Sequence, residues 1–502
     1  MGRSSEGGFA RLAARSSFER VFGSLVVAAG TIVVGWLVWR SLSWPLVHDA
    51  PLMHYVAWRM LEGAVPYRDL FDMNFPGVYL LHLLVVWTVG SGDLAWRGFD
   101  LAWLGLAALG VAAFAWRWGG VAAVAGALLF ALYHLAGGAW QAGQRDFLLC
   151  PLLLAGALGV ARWAETRGRA ALAWGGLALG ASITVKPHAV LLATALGVLI
   201  ALEAWRAGDG LLAPLAVFVI TVAVVPLATV AWLAAAGALP AWRAIVLDYL
   251  VPLYSRLGRP AAWSVYRPAV WIPLGGGALL SVALALVRGR LGARHAVAGL
   301  GALYGVGHFV GQGKGWEYHL YPLAAFAVVL LVAGLEPALA RARRVGAAVM
   351  LVVVLAAGVL LADKAAAVSP AGWERAKAAR AAELTAALGA RLRPGDTVQV
   401  LDTAVGGIHA LLRLGVREPT RFLYDFHFFH DAGHSTIEAL RAELLRDLDA
   451  RPPALIVVFE EGWPAGGYER LDAFPALRAR LARYDLVQAG PGYRIHAQRH
   501  RP

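Results

Sequence analysis

The 502-residue chain reads as an α-helical polytopic membrane protein carrying a small C-terminal α/β domain, and three observations predict this. Hydrophobic residues make up 59% of the chain and charged ones only 15%, with a mean hydropathy of +0.61. Apolar runs of membrane-spanning length recur from residue 21 to residue 362. Arginines gather at the ends of those runs, where they set orientation. The net charge of +13 is therefore read as topology and headgroup contact, and nucleic acid is not an expected partner. The single cysteine, Cys150, lies inside the apolar run FLLCPLLLAG, which excludes an intrachain disulfide and a thiolate metal site.

The N-terminal segment carries Arg3, Arg11, Arg15 and Arg20, and the first apolar run, VFGSLVVAAGTIVVGWLVW, is longer than the apolar region of a signal peptide. It predicts an uncleaved first helix with a cytoplasmic N-terminus. The basic loops ARWAETRGRA (161–170), EAWRAGDG (203–210), RGRLGARH (288–295) and EPALARARR (336–344) are assigned to the cytoplasmic side as well. Working outward from them gives spans near 21–40, 98–116, 120–138, 147–161, 170–187, 188–205, 211–234, 269–287, 296–312, 319–336 and 345–362. That is about eleven crossings, within a range of about eleven to thirteen. Residues 77–90 (GVYLLHLLVVWTVG) are too short to cross comfortably and are read as an interfacial or re-entrant helix.

This threading places loops 41–76, 137–146, 185–188, 235–268 and 311–319 on the extracytoplasmic side, together with everything beyond residue 363. Residues 1–363 form the expected membrane domain and 364–502 the expected soluble one, in a bacterial inner (plasma) membrane. In the latter, the stretch up to Pro394-Gly395 reads as an amphipathic helix, TVQVLD and ALIVVFEE as strands, STIEALRAELLRDLDA as a helix and YRIHAQR as a last strand. No glycine-rich phosphate loop follows the first strand, which argues against a nucleotide site there.

The first outer loop, SLSWPLVHDAPLMHYVAWRMLEGAVPYRDLFDMNFPG, carries the most chemistry. His48-Asp49 follows the first helix, and PLMHYVAWRMLEG has the spacing of an amphipathic helix lying on the membrane surface, ended by Gly63 and Pro66. Asp49 then sits at the bilayer boundary, either as the N-cap of that helix or as a general base facing a lipid-linked substrate. Tyr67, Asp69 and Asp72 follow. The two carboxylates, three apart, are read as holding acceptor or sugar hydroxyls, with a divalent ion or an Asp69 pair to Arg68 or Arg145 as the alternatives.

An Asp just after the first helix, an interfacial Tyr/Ala/Arg helix ending in Leu-Glu-Gly, and Pro66-Tyr67-Arg68-Asp69 leading to Pro76 resemble the C-type integral-membrane glycosyltransferases. The pattern is similar to the branch holding protein O-mannosyltransferases and aminoarabinose transferases of lipid A. The specific motif is confined to residues 48–80, while the arrangement of the whole membrane part agrees with it. The resemblance implies a polyprenyl-phosphate sugar donor, a soluble domain after the last helix, and the catalytic base at Asp49. The aminoarabinose branch has an acidic residue, a lysine and paired prolines where this chain has Asp72-Met73-Asn74-Phe75-Pro76. That lysine is missing, so the branch's substrate is not carried over and the donor phosphate needs another cation.

A departing phosphate gains negative charge, so cations and donors must be aimed at it. Arg145 at the outer end of a span, Lys186 and His188 in the Lys-Pro-His break, and Lys314 and His319 in GQGKGWEYHLYP are the candidates. Each also has a plain structural reading, as an ion pair, a snorkelling helix end or an ordinary polar turn. Trp316 could stack on a sugar ring and Glu317 bind its hydroxyls. His54, His82 and His134 read as packed core residues. The long outer segment 239–268, with Arg243, Arg256, Arg259 and Arg267 among aromatics, fits either a lipid-phosphate groove or headgroup contact. The expected activity is inverting transfer of a hexose or pentose to a lipid, glycan or protein acceptor. No cofactor is required, no metal site is assigned, and a divalent cation is left open. A transporter or flippase of a lipid-linked glycan is the rival; it predicts charges midway along several spans and a pseudo-repeat, neither of which the sequence carries.

Overall fold

The structure, a computed structural model, describes residues 25–258, 268–336, 344–368 and 372–499. The basic N-terminal segment, Arg259, Arg267 and most of the 336–344 loop lie outside the described residues. Over its described residues, each span expected from the sequence coincides with helix. Among the described residues six helices are long and apolar enough to cross a membrane: Asp93–Trp118, Arg145–Thr166, Ala189–Arg206, Leu212–Ala235, Ala269–Val287 and one starting at Ala348. Leu25–Ser41, Pro76–Thr88, Gly120–Leu135, Arg169–Val185 and Glu317–Ala333 are shorter apolar helices, and Ala293–Gln312 is a longer, more polar one.

The helices divide into central and peripheral ones. The apolar stretch of Arg145–Thr166 is 78% buried within the fold, whereas that of Leu212–Ala235 is 6% buried and faces outward. Arg145–Thr166 and Arg169–Val185 meet backbone to backbone: a Cβ on Gly159 would lie 2.6 Å from the Ala171 carbonyl oxygen and 2.8 Å from the Gly175 Cα. Small residues permit that approach between apolar helices. It fixes the start of one helix, Arg145-Asp146, against the end of the other, Val185-Lys186.

Charged groups collect at the two ends of the helices. At one end, Arg294 pairs with Glu165 at 2.6 Å and Arg167 lies 3.6 Å from Asp209 and 3.9 Å from Glu203. These are the loops assigned to the cytoplasmic side. The opposite end carries Asp49, Arg145, Asp146 and Lys186.

The Pro76–Thr88 helix has 13 residues, about 20 Å at 1.5 Å per residue, short of the roughly 30 Å hydrocarbon core. It lies against Ala50–Leu61 and Arg169–Val185. The Ala50–Leu61 helix departs from the surface-lying helix expected of it. Its residues from Ala50 to Ala57 are all buried, because the Pro76–Thr88 helix covers one side and the Gly407–Leu414 helix of the C-terminal region another.

The C-terminal region begins with the Gly372–Gly389 helix and builds a four-stranded sheet in the order β1 (Val398–Leu401), β2 (Leu455–Phe459), β4 (Tyr493–Gln498), β3 (Tyr484–Gly490). β1 and β2 are parallel, with Val398 opposite Leu455, and the other pairings are antiparallel. β3 was not expected, since YDLVQAG is an edge strand whose residues are mostly exposed and lack the apolar alternation of a half-buried strand. The region is bonded directly to the first outer loop: the Phe71 amide donates to the Arg421 carbonyl at 2.6 Å, and the Arg421 guanidinium donates to the Tyr67 carbonyl at 3.1 Å.

Candidate functional site

Asp49 stands at the N-cap position of the Ala50–Leu61 helix, yet its side chain makes no capping bond. The carboxylate instead accepts from Arg145 Nη2 at 3.3 Å. Burial opposes its ionisation, but His48, Arg145 and Gln144 outweigh burial and hold the carboxyl below the usual range. His48 itself has φ +63°, a left-handed conformation uncommon for a residue with a Cβ, at the turn that presents Asp49.

Arg145 is held by a chain of polar groups from the first outer loop. Its Nη1 donates to Asn74 Oδ1. The Asn74 amide nitrogen donates to both oxygens of Asp72 at 3.0 and 2.9 Å, and Tyr67 OH donates to the Asn74 carbonyl at 2.7 Å. Asp72 also accepts from the Met73 amide at 2.6 Å and from Tyr79 OH at 2.7 Å. Burial pushes the Asp72 carboxyl above the usual range, although Asn74 and Tyr79 favour its charge. Gly143, two residues before Arg145, has φ +69°, and a Cβ there would meet the Trp96 ring at 1.7 Å. Its amide donates to Asp100 at 2.8 Å, and Asp100 is fixed in turn by Arg97 and His134.

The next residue, Asp146, centres a second group. Lys186 Nζ lies 2.9 Å from its carboxylate and His308 Nε2 bonds it as well. His188 and His319 stand beside His308, with ring centroids 5.6 and 6.1 Å away. The Lys-Pro-His break thus places Lys186 at the end of one helix and His188 at the N-cap of the next.

The structure brings Asp49, Tyr67, Asp72, Arg145, Lys186, His188 and His319 into this one region and gives the remaining candidates other partners. Asp69 pairs with Arg68 at 2.8 Å and accepts from the Val65 amide, so the two carboxylates of the loop have separate partners. Lys314 donates to the Tyr254 and Leu257 carbonyls, and burial lowers its ammonium to about 8. Glu317 lies 3.5 Å from Lys364. Trp316 contacts the His319, Tyr318 and Trp463 rings. His54 and His82 bond each other at 2.7 Å, and His134 joins Asp100 and Tyr321 as buried packing residues. Sequence reasoning did not single out Asn74 or His308, nor Asp146 in its own right. The available signal was a buried-end Asp in one span and a lysine at the end of another, each needing a partner.

Among the described residues, Arg145 Nε, Gln144 Oε1, Trp140 Nε1, Gln141 Nε2, His188 Nδ1 and His319 Nδ1 are buried near these groups without a hydrogen-bond partner. Leaving a buried donor or acceptor unmade costs about 1–3 kcal/mol each, so ordered water or a polar ligand at this place would be stabilised.

No family model matches the chain and no curated protein matches it in sequence. Solved structures do match its shape, and the fold of this chain is similar to that of ArnT. ArnT from Cupriavidus metallidurans in the apo state superposes with a TM-score of 0.57 at 15% identity, covering 95% of this chain and 98% of that one. The same protein bound to undecaprenyl phosphate gives 0.58 at 17% identity, covering 94% and 97%.

Proposed function

We propose that the chain is an inverting glycosyltransferase that moves a sugar from a polyprenyl-phosphate donor to an extracytoplasmic lipid, glycan or protein acceptor. The observation that carries this reading is an ionised carboxylate, Asp49, held against Arg145 amid buried polar atoms that lack partners. The likeness of the fold to a protein crystallised with undecaprenyl phosphate supports the donor class.

In this mechanism Asp49 takes the proton of the acceptor hydroxyl or amine as its oxygen or nitrogen attacks the anomeric carbon. The bond from that carbon to the phosphate oxygen breaks on the opposite face, and polyprenyl phosphate leaves with the electron pair. Arg145, Lys186, His188 and His319 face the departing phosphate and supply the positive charge and donors that the missing loop lysine would have given. Lys314, bonded to two backbone carbonyls, braces the turn that carries Trp316 and His319. Tyr67, Asp72 and Asn74 keep Arg145 in place, and Trp316, whose ring lies beside that of His319, is the residue assigned to the sugar. The arginine-rich loops at the other end of the helices orient the site to the periplasmic face of a bacterial inner membrane.

The test is Asp49→Asn in the full chain, assayed for transfer from extracted polyprenyl-phosphate sugar. Loss of a general base is expected to slow transfer on the order of 10²–10⁴-fold. Turnover at the wild-type level removes Asp49 from the role. Phosphate release measured against lipid flipping separates transfer from the transporter alternative.

A further inference from the structure

Several buried tyrosines have side-chain partners for their hydroxyls: Tyr79 donates to Asp72 at 2.7 Å, Tyr249 meets His427 at 2.7 Å and His430 at 2.9 Å, Tyr321 meets His134 at 2.9 Å, and Tyr493 donates to Glu383 at 2.7 Å. Tyr254, Tyr318 and Tyr424 are different. Tyr318 and Tyr424 are 1% and 6% exposed, Tyr254 is half-buried, and no hydroxyl of the three has a partner among the described residues. A phenol hydroxyl with no partner inside the fold is left to bond water or a ligand.

Ring contacts tie the three to one another and to the site: Tyr254 and Tyr424 both stand against Phe426, at 6.0 and 5.1 Å, Trp463 joins Tyr254 to Trp316, whose ring lies 5.5 Å from that of Tyr318, and Tyr318 meets Trp140, which lies 6.0 Å from His48 beside Asp49. They arrive from three distant parts of the chain. Tyr254 comes from the turn that follows Ile245–Leu250, with Lys314 Nζ 4.2 Å from its ring centre. Tyr318 comes from the Glu317–Leu320 turn, its ring 5.6 Å from that of Trp140. Tyr424 comes from the C-terminal region, between β1 and the Ser435–Ala450 helix, packed on Phe426 at 5.1 Å and His427 at 5.9 Å.

We propose that Tyr424 completes the transfer site from the C-terminal α/β region, and that the hydroxyls of Tyr424, Tyr254 and Tyr318 together hydrogen-bond the hydroxyl groups of the transferred sugar. The inference rests on the glycosyltransferase reading above. The chemistry favours a sugar over its phosphate. Arg145 and Lys186 already carry the positive charge a phosphate demands, whereas a phenol is neutral, donates and accepts at one oxygen, and offers a ring face beside it. A polyhydroxylated ring matches all three properties.

The experiment compares Tyr424→Phe and Tyr254→Phe with the wild-type full chain in detergent, titrated with undecaprenyl phosphate and with a panel of undecaprenyl-phosphate hexoses and pentoses. Binding is read by intrinsic tryptophan fluorescence, with thermal unfolding as a check on the fold, and Tyr493→Phe in the sheet serves as the control. Each site variant is expected to lose roughly tenfold in affinity for the sugar-bearing lipid that the wild type prefers, with affinity for the bare lipid phosphate unchanged. An equal loss for both lipids assigns the hydroxyls to the phosphate and overturns the proposal. No loss for either, or a wild type that binds no sugar lipid better than the bare one, overturns it while leaving the lipid-phosphate donor class standing. A wild type that binds neither lipid overturns the glycosyltransferase reading and this inference with it.

Discussion

Replacing Asp72 by alanine tests whether the first outer loop aims the site. The Asp72 carboxylate accepts from the Met73 amide at 2.6 Å, from Tyr79 OH at 2.7 Å and from the Asn74 amide at 3.0 and 2.9 Å. Hydrogen bonds to a charged acceptor contribute about 1.5–3 kcal/mol each. The desolvation cost of a carboxylate that is 1% exposed offsets a large share of the sum, leaving a loss of about 3 kcal/mol in stability. The kinetic effect is separate. Asn74 loses the group that orients it, Arg145 loses one of its two anchors, and a misplacement near 1 Å at a reacting centre costs on the order of 10²-fold in rate. Asp72→Asn, which keeps the shape but turns an NH₂ toward two of the donors, is expected to fall between alanine and wild type. The assay pairs thermal unfolding in detergent with transfer measured at a temperature where the folded fractions are equal. Wild-type turnover of Asp72→Ala under that condition refutes the idea that Arg145 is held through Asn74.

Three further outcomes follow from the same geometry. Arg145→Gln removes a charge that holds the Asp49 carboxyl low; with burial then less opposed, its pKa rises, and because the base works only when ionised, the acid limb of the pH–rate profile is expected to move to higher pH. Gly143→Ala forces a Cβ onto φ +69° and into the Trp96 ring, so transfer is expected to fall by at least tenfold, and unchanged kinetics would remove this turn from the positioning of Arg145. Lys186→Met leaves the Asp146 carboxylate buried with His308 alone, which should cost about 3–5 kcal/mol in thermal unfolding, much of it recovered when Asp146→Leu is added.

The helical frame was legible because lipid leaves a chain few choices. Backbone polar groups must be satisfied within each span, so apolar runs punctuated by arginines read directly as helices and their ends. The place of Asp49 was legible for a related reason, since it follows closely on the end of the first apolar run. The partners of the other polar residues were not legible. Asp69 and Asp72 are three apart in sequence, yet one turns to Arg68 and the other to Asn74, because Leu70 and Phe71 between them are held in bridges to Pro66 and Phe422, so no helical turn puts the two on one face. The covering of the Ala50–Leu61 helix was hidden too, since the Gly407–Leu414 helix that buries it lies some 350 residues away. Sequence pattern reports which face of a helix is apolar; it does not say whether lipid or protein will cover it.

The separation of Arg145 from Asp146 is the structural fact on which the chemistry turns. Adjacent residues at the start of a helix point about 100° apart, so neighbouring opposite charges need not neutralise each other. Here Asp146 is used up by Lys186 and His308, and Arg145 is directed to Asp49 and Asn74. Had the two paired, the site would hold Lys186 without a counter-charge and Asp49 without a cation. The helices Arg145–Thr166 and Arg169–Val185 pack closely, as at Gly159 and Gly175, and where they end Lys186 meets Asp146 at 2.9 Å. Small residues that look like mere packing in the sequence thus let the two helices run together. A bulkier residue at Gly159 should disturb Lys186 and Asp146 before it disturbs Asp49.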